Sequence, residues 1–217
     1  MATSRPYHHG NLREALVAGG VDLARTGGPA AVVLRAVSRR AGVSHNAAYR
    51  HFAGHEALLA AVAASCMNRL GRLMLARSAA VDLPDEVAAA RARLDAIGRA
   101  YIDFALTEPG WFRTAFCGTS AAPRGEPDPA SGLASGGEPG PEGSCGADPY
   151  AILSTHLDDL VRLGAFPTDR RPGAEYAAWS AVHGLSDLLV EGPLRGLSGA
   201  ELRTAVEAVL STVARGL

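Results

Sequence analysis

Lysine is absent from this 217-residue chain; all 21 basic residues are arginine. With 25 glycines and abundant alanine, that absence reads as the coding bias of GC-rich DNA rather than as selection for guanidinium chemistry. Long apolar runs are missing as well. The longest, near residues 57–67, falls short of the ~20 residues that cross a bilayer and is soon followed by Arg69. The opening MATSRPYHHGNLR has no apolar core of the kind a signal peptide needs. A soluble, intracellular protein with no membrane partner is expected. Cysteine is scarce: Cys66, Cys117 and Cys145 form no CxxC pair, and no histidine stands at zinc-ligand spacing. Free thiols in a reducing cytosol and no metal are expected. Strand-like alternation of useful length is also lacking. So are GxSxG, HExxH, a phosphate loop and a dinucleotide fingerprint, which leaves a helical enzyme as a reading without a motif and implies no cofactor.

What charge there is lies unevenly. The net charge is −1, yet residues 1–60 hold seven arginines against Glu14, Asp22 and Glu56. Five of the seven histidines fall within the first 55 residues. A basic head on an acidic body fits a polyanion partner for the head and repulsion of that partner by the body. Over sixty residues the excess is modest and by itself assigns no function.

Apolar residues make up 47% of the chain and recur almost everywhere at helical spacing. The expected fold is all-α, with about nine helices. The first runs from Asn11, a plausible N-cap, to Arg25, and Gly27-Gly28-Pro29 ends it. Two short helices follow, 34–41 and 45–52, and then a long one from His55 carrying Leu59, Val62, Cys66, Leu70, Leu73 and Met74. Further helices are expected over 85–107, 150–163, 172–191 and 198–215, with a short aromatic segment after Pro109-Gly110. Residues 118–149 differ: eight glycines, six prolines and almost nothing to bury predict a flexible loop. The expected division is an N-terminal unit over 1–56 and a larger helical body over 57–217.

Residues 34–52, LRAVSRRAGVSHNAAYRHF, give two short helices joined by a glycine turn. Val37, Ala41, Val43, Ala48 and Phe52 make a small core, and Ser44 caps the second helix. His45, Asn46, Ala47, Tyr49 and Arg50 are left facing out. Hydrogen-bonding groups near a helix N-terminus suit a major groove, where each base pair shows its own donor and acceptor pattern. An ordinary helical hairpin with a solvated face shares much of this pattern.

Gly42-Val43-Ser44, then Tyr49-Arg50-His51-Phe52 and Leu58-Leu59, resemble the tetracycline-repressor-like (TetR) family of transcriptional regulators. Tyr7 to Arg13 and Trp179-(x)3-His183-Gly184 further resemble its subgroup with a C-terminal Trp, His, Gly pattern. The resemblance implies that His45, Asn46, Ala47 and Arg50 face base edges of double-stranded DNA. It also implies that Tyr49, His51, Arg35 and His55 address phosphates and that Ser44, at the start of the helix over 45–52, belongs to the DNA-binding set. The chain departs from the family pattern in four places. Val33 stands where Thr or Ser usually caps the second helix, Ser38 stands for Ala, His55 for Lys, and Ala48 for a larger apolar residue. The resemblance further implies that 1–56 is the DNA-binding domain and 57–217 a helical effector-binding and dimerisation domain, in a homodimeric repressor released from a palindromic operator by a small molecule.

The helix at 172–191 is apolar on two sides, with Tyr176, Trp179 and His183 on one and Ala178, Val182, Leu185 and Leu189 on the other. With Leu202, Val206, Val209, Leu210 and Val213 of the last helix, this suits a four-helix bundle formed with a symmetry mate. Tyr101, Phe104, Trp111, Phe112 and Phe116, with Met67, Leu70, Met74, Trp179 and His183, are candidates to line a pocket for a small apolar or amphipathic effector. For His183 by itself the better reading is a core residue with its nitrogens satisfied locally. His156 and Asp159 share a face but are too few for a metal, so a solvated face is expected there. Regulation by a partner or by abundance, with no small-molecule effector, stays open as the alternative.

Overall fold

The computed structural model describes residues 12–117 and 146–216. The Asn11 cap, Tyr7 to Asn11 of the N-terminal motif, Cys145 and residues 118–145 of the Gly/Pro-rich stretch lie outside the described residues. Among the described residues there are nine α-helices, two 3-10 turns and no strand. They are α1 (Leu12–Gly27), α2 (Leu34–Arg40), α3 (His45–Tyr49), α4 (His55–Ala79), α5 (Glu86–Thr107), α6 (Pro109–Phe116), α7 (Pro149–Arg162), α8 (Ala174–Val190) and α9 (Gly199–Gly216).

Three helix starts fall where a side chain satisfies a backbone group. Ser44 Oγ accepts the N–H of Ala47, Asp85 that of Ala88, and Asp148 that of Tyr150, so α3, α5 and α7 each begin with a capped turn. Gly42 has φ 68°, the left-handed conformation that lets α2 turn sharply into α3.

Two hydrophobic clusters form the interior. The first gathers Leu12, Leu16, Val21, Val32, Leu34, Val37, Ala48, Phe52, Leu58, Val62 and Cys66 around α1 to α4, and takes Ala115 from α6. The second gathers Leu70 and Met74 of α4 with the inner faces of α5, α6, α7 and α8 and Leu210 of α9. Helix α4 therefore belongs to both clusters. By length and composition alone it could cross a membrane, its most apolar window having mean hydropathy 1.3. Here Leu58, Val62, Cys66, Leu70 and Met74 are spent on the two cores. Each fully buried leucine or valine contributes about 1.5–3 kcal/mol.

Met67, Trp111 and Phe116 pack against both clusters. Helix α6 reaches the head because Gly110 has no side chain; a Cβ there would collide with the carbonyls of Ala24 and Arg25 in α1. Trp111 Nε1 then donates to the carbonyl of Val21 (2.8 Å), and the Arg25 and Arg69 guanidiniums lie over the indole ring. Arg25 also pairs with Glu108 through Nε (2.8 Å) and Nη2 (2.5 Å).

The Gly/Pro-rich stretch closes in packed structure at its described end. Ala147 rests on the body cluster and Pro149 is buried as the first residue of α7. Proline fits there because a helix's first N–H has no intrahelical partner to lose.

Candidate functional site

The outer face of α3 is polar and open. His45, Asn46, Tyr49 and Arg50 are exposed, Ala47 is half-buried, and Ala48 is sealed inside with Val37 and Phe52. Tyr49 is 50% exposed, which keeps its ring and hydroxyl on the open face. His45 meets Tyr49 edge-on across one turn, ring centroids 4.8 Å apart, which steadies both on the same face. Arg35 is exposed in the first turn of α2, His51 is half-buried beyond α3, and His55 is exposed as the first residue of α4. Ser44 is exposed with its oxygen committed to the cap.

Three departures at the head have visible consequences. Val33 occupies the N-cap of α2 in extended conformation and offers no side-chain acceptor. Ser38 is buried and donates to the carbonyl of Leu34 (2.8 Å), so the added hydroxyl has a partner inside the helix. Ala48 is fully buried, and Phe52, with Arg13 over its ring at 5.2 Å, closes the small core beside it.

Part of the positive charge here is uncompensated. Arg40 pairs with Asp22 and Arg25 with Glu108, whereas Arg13, Arg35, Arg39 and Arg50 have no carboxylate partner among the described residues.

In the body, a cavity of about 110 Å³ opens between α5, α7, α8, α9 and the end of α4. Of the ten residues expected to line a pocket, three form its wall: Met74, Tyr101 and Trp179. Leu70, Phe104 and Phe112 are buried in the body cluster away from this wall, and Met67, Trp111 and Phe116 sit on the seam between the clusters. His183 is half-buried beside Phe112 and Phe116, outside the wall. Sequence reasoning missed Leu94, Ile97 and Gly98 of α5, Leu153 and Leu160 of α7, and Leu210 and Val213 of α9. Positions 94, 97, 98 and 101 fall on one face of α5, and that periodicity was the available signal.

Tyr101 OH lies 2.8 Å from His183 Nδ1. Burial pushes the phenol far above its usual range, and burial lowers the imidazole more than Asp187 raises it. Both groups are therefore neutral near pH 7, and a hydrogen bond between neutral partners joins them. Elsewhere, His156 Nδ1 donates to the carbonyl of Ile152 (2.8 Å), which leaves Nε2 to accept from Ser78 (2.6 Å). His156 thus ties α7 to α4 instead of facing solvent. Asp158 and Asp159 pair with Arg171 and Arg162. Burial pushes the Cys66 thiol up to about 12 and raises Cys117, so neither is a poised nucleophile.

Residues 94–213 match the model of the tetracyclin repressor-like C-terminal domain, and residues 16–62 match that of bacterial regulatory proteins of the tetR family. The chain belongs to the tetracycline-repressor family. It is accordingly a DNA-binding transcriptional regulator and not an enzyme. Among solved structures it is similar to a protein of unknown function from Rhodococcus sp. RHA1, with 26% identity, TM-score 0.69 and 99% of each chain covered. A putative transcriptional regulator from Pseudomonas aeruginosa PAO1 shares the fold at 17% identity and TM-score 0.59, over 97% of this chain and 93% of that one. So does a putative TetR-family regulator from Mesorhizobium loti, at 12% identity and TM-score 0.56, over 97% and 98% of the two chains. No curated protein matches the chain.

Proposed function

We propose that this TetR-family regulator is a homodimeric cytoplasmic repressor that binds a palindromic operator and leaves it when a small molecule enters the body. The observation that carries the DNA half of the reading is α3: a Ser44-capped helix whose polar side chains are all turned outward, beside four arginines with no acidic partner. In this reading His45, Asn46, Ala47 and Arg50 meet base edges, and Arg35, Tyr49, His51 and His55 meet phosphates. The proposed boundary of the DNA-binding unit is near residue 56, with α4 carrying its core onward to Cys66.

Dimerisation is supported by what α8 and α9 leave uncovered. Tyr176 is 62% and Leu188 41% exposed on α8, Ala177 and Ser180 of the same helix are exposed, and so are Ala200, Thr204 and Ala208 of α9. Only Leu210 of the eighteen residues of α9 is buried, far fewer than a helix with so many valines and leucines would bury in a finished core. The cavity favours release by a ligand over control by a partner or by abundance. It is walled on one side by Leu210, Val213 and Ala214 of α9, so filling it would press on a helix of the proposed dimer face.

Selection of bound sequences from a random DNA pool tests the reading. The expected product is an inverted repeat with half-site centres about 34 Å apart or a multiple of that. Enrichment of isolated half-sites, or of no sequence at all, would refute the dimeric reader.

A further inference from the structure

The cavity's rim is chemically lopsided. Two charged residues reach its wall, Arg91 and Asp95, one turn apart on α5. Asp95 is already committed: Arg99 grips its carboxylate through Nε (2.5 Å), and Arg99 reaches on to Glu207 of α9 (2.9 Å). Arg91 is not committed. Its Nη2 donates to the carbonyl of Ala165 (3.0 Å), which holds the guanidinium at the mouth. No carboxylate pairs with it among the described residues. The remaining wall is nearly all apolar, including Leu94, Ile97, Leu153, Leu160, Val182 and Leu210.

An apolar chamber with one uncompensated guanidinium at its mouth selects by charge as well as by shape. Its volume of about 110 Å³ is somewhat below the ~150 Å³ of an engineered apolar void that takes up benzene. One ring, or a chain of about six carbons, is therefore the natural size of occupant. Resting on the reading of this cavity as the ligand site, we propose that it takes a small organic monoanion: a monocarboxylate whose apolar body fills the chamber and whose carboxylate pairs with Arg91. The planar fork of arginine matches a carboxylate, and a charge-assisted bond exceeds what an alcohol can make there. An ammonium would meet like charge at the mouth. A dianion would carry its second charge into an apolar wall with no partner.

Calorimetric titration of the full-length protein with benzoate, hexanoate, benzyl alcohol and benzylamine tests this directly. Wild type should bind the two carboxylates about tenfold or more tighter than the alcohol, with the amine weakest. Arg91→Gln, a change at an exposed side chain, should bring the acids down to the alcohol and leave the alcohol unchanged. Leu94→Trp should block every compound while the melting transition stays cooperative. Equal binding of acid and alcohol by wild type overturns the monoanion assignment and leaves the cavity standing as a ligand site. Acid binding that ignores Arg91→Gln overturns the role of Arg91. Failure of all four compounds to bind wild type overturns the proposal outright. Operator affinity measured in parallel reports on the release reading separately: acids that bind through Arg91 without weakening operator binding sustain the monoanion site and refute release.

Discussion

Replacing Trp111 with phenylalanine should loosen the DNA-binding head from the body, and the structure gives the size of the effect. The indole N–H bonds the Val21 carbonyl at 2.8 Å; losing such a bond costs about 1 kcal/mol. The Arg69 guanidinium lies 4.6 Å from the ring centroid, an arrangement worth about 0.5–1 kcal/mol at a solvated site, and a phenyl ring retains only part of it. Arg25 also covers the ring but is more than half exposed, and water screens its share. The total is about 1.5 kcal/mol, or a melting temperature lower by roughly 3–6 °C for a chain of this length. Scanning calorimetry reads that shift, and hydrogen exchange should show earlier opening of α1 against α6. A second change, Glu108→Gln, should not add independently, because Glu108 and the indole share Arg25. If Trp111→Phe melts within about 1 °C of wild type, the contacts across the seam do not hold head and body together.

Further outcomes follow from the same geometry. Asn46→Ala should reduce discrimination between operator and random DNA by about 1–3 kcal/mol, whereas Tyr49→Phe should weaken both alike. Equal losses for the two variants in competition binding would move Asn46 off the base edges. Ser44→Ala removes the only side-chain cap of a five-residue helix and should cost about 1 kcal/mol, read as a lower denaturant midpoint with unchanged slope. His183 is held below the usual histidine range, chiefly by burial. The folded state therefore binds fewer protons there, so its contribution is present above about pH 6.5 and is lost as pH falls through the folded value. His183→Gln should flatten the fall in melting temperature below that pH; an unchanged slope would show that other groups set it.

The DNA-reading head was legible in the sequence because its signals are local. A glycine in the left-handed region, a serine cap three residues before its amide partner and a short apolar spacing lie within about twenty residues. The body was legible as helices but not as a cavity. Five helices, from Met74 to Ala214, supply the wall, and no pattern within one of them shows which apolar side chains close on each other and which leave space. Trp111 shows why aromatic content misled. It looks like a pocket residue, but the missing side chain at Gly110 seats α6 on α1 and turns the indole to the seam. His156 illustrates the opposite error. Its acidic neighbours gave the segment a solvated look, but the partner that fixes it is Ser78, seventy-eight residues away.

On the proposed reading, Tyr101 is where cavity and head communicate. Its ring forms part of the cavity wall and also meets Phe112 and Phe116 of α6, with centroids 6.1 and 6.2 Å apart. Its hydroxyl is tied to His183 of α8, so a ligand that displaces the ring must break that bond or carry α8 along with it. The next residue before Phe112 is Trp111, already hooked to α1. A shift at Tyr101 therefore has two exits: through α6 to the reading head, and through α8 to the uncovered face where a second copy would pack. Both lie on packed side chains rather than on loops, and packed interiors transmit small displacements instead of absorbing them. Only about 1–3 kcal/mol of differential packing is needed to change operator affinity several-fold to a hundredfold. One ring's worth of apolar contact in a chamber of this size can supply it, since burying a single phenyl-sized group contributes about 1.5–3 kcal/mol.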